Sequence, residues 1–140
     1  MSARDERNQR NSGRRPQRDQ RREQQRGEPR GGHVSPARLV AYDVLRDVDE
    51  RDAYANLALA ARIRDSRIDG RDAALATELA AGTLRGQGRY DRIIELASGR
   101  DLDKVDARTL RVLRLGAHQL LSMRTAAHAA VNESVELQRK

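Results

Sequence analysis

Cysteine is missing altogether, and so are tryptophan and phenylalanine. Without a thiol there is no disulfide, no thiolate metal site and no sulfur nucleophile, which fits a reducing compartment. Without the two largest apolar aromatics, a core has to be assembled from Leu, Ile, Val and many Ala. Helices can then approach closely, while each side chain buries little area. No apolar run approaches the roughly 18 residues that would span a bilayer, and the N-terminus lacks the apolar stretch of a signal peptide. A soluble, cytoplasmic protein with no membrane partner is expected. Lysine is scarce too, because Lys104 and Lys140 are the whole complement among 28 basic residues.

Arginine is what the chain has instead. The formal net charge of +7 favours polyanionic partners such as nucleic acid, the ribosome or an acidic membrane surface. A planar guanidinium can grip a phosphate with two parallel hydrogen bonds and stack on a base. Codon usage in a GC-rich genome would give the same skew, and the skew runs through the whole sequence. One hundred and forty residues allow one ordinary domain.

Residues 1–33 offer almost nothing to bury, and they carry ten arginines, among them Arg14, Arg15, Arg18, Arg21 and Arg22. A disordered basic tail over 1–33 is expected, holding most of the net charge, with a folded domain over 34–140. Gly31-Gly32 supplies a joint, and Ser35-Pro36 supplies an N-cap followed by proline at the first helical position.

From there apolar residues recur at helical spacing, which predicts an all-α bundle of about six helices. The first covers about 36–50 on Val40, Ala41, Val44, Leu45 and Val48; Asp52 is expected to cap a second, running to about Ile63. Asp69-Gly70 leads into a third whose inner side is Leu75, Ala76, Leu79, Ala80 and Leu84, ended by Gly86 and Gly88. A fourth carries Tyr90, Ile93, Ile94 and Ala97 and stops at Gly99. Asp106 caps a strongly apolar fifth holding Leu110, Leu113, Ala117, Leu120 and Leu121, and a sixth begins near Ala127. Gly82 and Gly116 lie inside helical patterns, where glycine costs about 1 kcal/mol relative to Ala; close helix crossing is the expected compensation.

Five stretches, in order, carry a resemblance. They are Ala37-Arg38-Leu39-Val40-Ala41, residues 71–79, Gly82-Thr83-Leu84-Arg85 with Tyr90-Asp91 following, residues 113–121, and residues 129–137 around Asn132-Glu133. Over about 36–140 the chain resembles the NusB-like RNA-binding domain. That family includes free-standing transcription antitermination factors and domains fused ahead of an S-adenosylmethionine-dependent methyltransferase of the Sun/Fmu or RsmB type. Residues 52–57, 82–85 and the Leu-Gly-Ala-His-Gln-Leu-Leu of 115–121 lean toward the fused type. The chain departs from the family at Ala126, where a proline is usual. The resemblance also implies a final helix beyond Lys140, so truncation there is an expectation.

The resemblance implies binding of small-subunit (16S) ribosomal RNA beside a cytosine-C5 methyltransferase domain in cis, the latter holding S-adenosylmethionine. C5 methylation needs a thiolate to add at C6, and a chain without Cys cannot supply it. No strand, glycine loop and helix follow one another to cradle a cofactor, so none is expected in this segment and it is expected to be non-catalytic alone. His33, His118 and His128 are too scattered for a metal site, and none is expected. The acidic group Asp47, Asp49, Glu50 and Asp52 reads as capping and a solvated turn rather than a cation site.

Arginines are the candidates for RNA contact. Arg38 sits in the first turn of a helix, where a cation opposes the dipole unless an anion binds there as well. A surface arginine serving solubility is the competing reading. Arg71 invites the same argument at the third helix, and Arg85, Arg89 and Arg92 form the densest basic group of the folded part. Asn132 and Glu133 match the family's Asn-Glu signature, and a buried hydrogen bond of Asn132 fixing the preceding loop is the preferred role. Tyr42, Tyr54 and Tyr90 fall on helical patterns, so partial burial is preferred over base stacking. The rival readings are a free-standing antitermination factor and a helical protein-interaction module.

Overall fold

A computed structural model describes residues 33–140, and among these every regular element is helical. Expectations that fall on residues 1–32, including Arg14, Arg15, Arg18, Arg21 and Arg22, lie outside the described residues. Six α-helices follow in order: α1 Pro36–Arg51, α2 Ala55–Ser66, α3 Gly70–Arg85, α4 Gln87–Ser98, α5 Ala107–Leu121 and α6 Ala127–Arg139. A single 3₁₀ turn, Leu102–Lys104, precedes α5.

The helix starts show why the chain divides here. Ser35, Asp69 and Asp106 each turn a side-chain oxygen onto the backbone N–H three residues on, satisfying an amide that the helix leaves free. Pro36 then fits the first turn of α1. Asp52 does not cap α2. It ends α1 in the left-handed region at φ 51°, its N–H donating to the Asp47 carbonyl, and Tyr54 takes the N-cap position of α2 with no side-chain bond. Asp and Asn tolerate that backbone region better than most side chains, which explains the exchange of roles.

The core is aliphatic. Val44, Leu79 and Leu115 are fully enclosed, and Ala37, Ala41, Ala76 and Ala80 let α1 pack closely on α3. Helix α1 also lies against α2, while α5 touches α1, α3, α4 and α6. Tyr42 and Tyr90 are buried as expected, but Tyr54, at the N-cap of α2, is 77% exposed, and α2 turns Ala58, Leu59 and Ile63 to the core instead.

Helix α5 turns a different face inward from the one its leucines suggest. Leu113, Leu120 and Leu121 are exposed, whereas Val112, Leu115, Gly116, His118 and Gln119 are buried with Arg111. Polar groups enter the core at one stripe of α5 because other helices supply hydrogen-bond partners there.

Candidate nucleic-acid interface

The C-terminal half of α5 is where the family motifs meet. Gln119 Oε1 accepts from Arg38 Nε of α1 at 2.7 Å. One residue earlier, His118 Nδ1 shares a 2.7 Å hydrogen bond with the Tyr90 hydroxyl of α4. The same hydroxyl bonds Ser122 Oγ at 2.6 Å, just past the end of α5. Tyr90 and His118 meet edge to face, with ring centroids 5.7 Å apart.

Two glycines make this packing possible. A Cβ on Gly82 would lie 2.3 Å from the His118 ring, and one on Gly86 would lie 2.6 Å from the Tyr90 ring. Gly86 ends α3 and begins α4 in one residue, at an ordinary φ of −93°, so ring packing rather than backbone freedom demands glycine there. Gly88 ends nothing: it lies within α4 with open space around it. Gly116 faces Ser134 Oγ, 3.0 Å from where its Cβ would be, and this is the close α5–α6 crossing expected of it.

Glu133 closes the start of α1. Its carboxylate accepts from the Ser35 N–H at 3.1 Å and lies 3.9 Å from Arg38 Nη1, which also donates to Ser35 Oγ at 3.1 Å. The anion that a cation in the first turn calls for is thus the protein's own carboxylate. Asn132 next to it is exposed, so it does not make the buried bond expected from its place in the family signature. Helical geometry explains the difference, since adjacent residues point about 100° apart and only Glu133 faces α1.

Three further folded arginines are closed off in the same way. Arg62 grips Asp47 with two 2.8 Å hydrogen bonds, and Arg114 grips Asp91 at 2.6 and 2.9 Å. Arg111, buried over the Tyr42 ring, reaches Asp49 and Glu50. The acidic group at the end of α1 is therefore spent on arginines, with Asp52 left exposed in the turn. The Arg62 hydrogen bonds hold the Asp47 carboxyl below its ordinary 3.8, whereas burial pushes Asp43 up against the pull of Arg46 and Arg62.

Arg85 and Arg89 are different. They are exposed on either side of Gly86, and among the described residues no ion pair includes either one. The Arg89 guanidinium lies 5.8 Å from the Tyr90 ring centroid. Helix α4 begins at Gly86 with no side-chain cap, so no side chain takes up its first N–H groups between these two cations. Arg92 is one turn further on and pairs with Glu95 at 3.4 Å. Arg71 is exposed at the far end of α3, about 21 Å along the helix axis from Arg85, and the fold does not bring the two together.

Sequence reasoning passed over Arg124. It is exposed in the loop after α5, at φ 54°, and likewise has no ion pair among the described residues. A lone arginine between helices gives no periodic signal, and only Ser122 bonding to Tyr90 puts that loop beside Gly86.

The glycine cradles do not fit a nucleotide-like cofactor, because His118 and Tyr90 fill them. Among the described residues no group of three His, Asp or Glu could hold a metal ion, and no helix is long and apolar enough to cross a membrane.

Comparison with known proteins agrees with this motif layout. A putative methyltransferase of Mycobacterium tuberculosis is 49% identical over 108 residues, 77% of this chain and 24% of that protein. The ribosomal RNA small subunit methyltransferase B of Pseudomonas putida is 35% identical over 98 residues, 70% of this chain and 22% of that protein. The transcription antitermination protein NusB of Chloroflexus aggregans is 31% identical over 104 residues, 71% of this chain and 69% of that protein. The chain therefore spans about a quarter of the length of the methyltransferases it matches. No solved structure matches it. The NusB family pattern covers residues 35–140, from the cap of α1 through α6, and the chain belongs to the NusB family.

Proposed function

We propose that this chain binds RNA and serves as the rRNA-positioning part of an S-adenosylmethionine-dependent small-subunit rRNA cytosine-C5 methyltransferase. The observation that carries the binding is the contrast among arginines: Arg38, Arg62, Arg111 and Arg114 meet carboxylates, while Arg85 and Arg89 stand open at an uncapped helix start. Such a pair beside free N–H groups suits a phosphate. Arg92 adds charge one turn away, and the arginines of residues 1–33 add general attraction. Arg71 serves a separate contact at the other end of α3. Arg38 acts mainly by holding α1 against α5 and α6.

The methyltransferase assignment is supported by the names and lengths of the relatives. S-adenosylmethionine and the cysteine nucleophile belong to another part of such a protein, in the cytoplasm with the RNA, since these residues offer neither thiol nor cofactor cradle. A second reading, a free-standing antitermination factor, is favoured by the likeness to the Chloroflexus protein along 69% of its length. Titrating 16S rRNA against the chain at several salt concentrations tests the binding. Arg85→Ala/Arg89→Ala is expected to lower affinity about tenfold and to reduce the salt slope by about two. Unchanged affinity and slope in that variant sink the proposal.

A further inference from the structure

Three open arginines come from three segments: Arg85 ends α3, Arg89 is in the first turn of α4, and Arg124 lies in the loop that follows α5. One hydroxyl lies between those segments. The Tyr90 ring rests on Gly86, its hydroxyl 3.2 Å from where a Cβ would be, and that hydroxyl bonds both His118 and Ser122. Ser122 comes four residues after His118, so both groups face α4 from the same side of the last turn of α5.

The loop beyond is held just as firmly. The N–H of Met123 donates to the His118 carbonyl at 3.1 Å and that of Thr125 to the Gln119 carbonyl at 2.9 Å, fixing the backbone on both sides of Arg124. His118 is locked in turn by Gly82, which accepts its ring against α3. We propose that the Tyr90 hydroxyl is a positioning group for RNA binding, joining the Arg85–Arg89 junction to the loop of Arg124 so that three cations meet the RNA backbone together. This rests on the RNA-binding reading above. It adds Arg124 as a phosphate contact and gives the bonds of the Tyr90 hydroxyl to His118 and Ser122 a role beyond packing.

Tyr90→Phe keeps the ring and removes both hydrogen bonds. In the full chain, titrated with 16S rRNA well below the melting transition, it is expected to weaken binding about three- to tenfold with helicity unchanged. Arg124→Ala is expected to weaken binding by a similar factor. In an Arg85→Ala/Arg89→Ala/Arg124→Ala background, Tyr90→Phe should change affinity less than twofold, whereas a merely structural role would act alike in both backgrounds. His118→Asn, whose amide reaches the place of Nδ1, should restore most of the binding that His118→Leu loses. Ser122→Ala removes only the bond to the loop. It must also weaken binding, which keeps the test decisive should Tyr90→Phe fail to fold. Wild-type affinity in Tyr90→Phe or Ser122→Ala, with Arg85→Ala/Arg89→Ala weakened, overturns the positioning role alone. Wild-type affinity in Arg85→Ala/Arg89→Ala overturns the RNA reading and this role with it.

Discussion

The start of α1 and the start of α4 pose the same electrostatic problem and solve it differently. Each places an arginine in the first turn of a helix, against the positive end of the dipole. At α1 the problem is closed from within: Ser35 caps, Glu133 supplies the anion, and Gln119 occupies Arg38 Nε. At α4 nothing among the described residues plays those parts, and Arg89 stands beside Arg85 with solvent in front. An arginine-rich sequence therefore contains two populations, and the placement of carboxylates, not of arginines, separates them.

The largest way to break this comparison is to disturb the ring packing beneath the open end. Gly82→Ala drives a methyl into the buried His118 ring and is expected to cost about 2–3 kcal/mol, read by chemical denaturation, despite the better helix propensity of Ala. Gly88→Ala, in open space, should instead stabilise by up to about 1 kcal/mol.

Next in size is the closed population itself. Asp47→Asn weakens the bidentate bond to Arg62 and is expected to cost about 1–2 kcal/mol at neutral pH while leaving RNA affinity unchanged. Because the folded Asp47 sits below its ordinary 3.8, its contribution is complete above that value and fades as pH falls through the lower folded value. Wild type should therefore lose stability below about pH 4, and Asp47→Asn should lack that component in a pH series of melts.

The smallest change converts one population into the other. Glu133→Gln keeps an oxygen for the Ser35 N–H but removes the charge beside Arg38. Binding to 16S rRNA should tighten about two- to fourfold, with a steeper salt slope, and Arg38→Ala in that background should abolish the gain. No gain would mean that Arg38 remains closed by Gln119 and Ser35 alone.

Much of the architecture was legible because it follows from periodicity and caps. Ser35, Asp69 and Asp106 start helices as their side chains dictate, and the 76–79–80 face of α3 is the buried one. Where prediction failed, tertiary partners had overridden a local rule. The leucines of α5 suggest a core face, yet Arg38 and Tyr90 draw Gln119 and His118 inward and leave Leu113, Leu120 and Leu121 outside. Asp52 reads as a helix start until the left-handed turn ending α1 claims it. Arg85 and Arg89 could be singled out by their spacing around glycines. That Arg38 is occupied could not, because Glu133 lies 95 residues away along the chain.

That separation has a consequence for the order of assembly. The first turn of α1 is tied down by a carboxylate on α6, through a bond that spans 98 positions from Ser35 to Glu133. Chain closure over such a distance is late and entropically costly. While the polypeptide is being made, α1 can pair with α2 and α3 long before its own beginning is finished. The Ser35 amide should thus exchange with solvent until α6 arrives, so the start of the bundle is latched only once its sixth helix has been made.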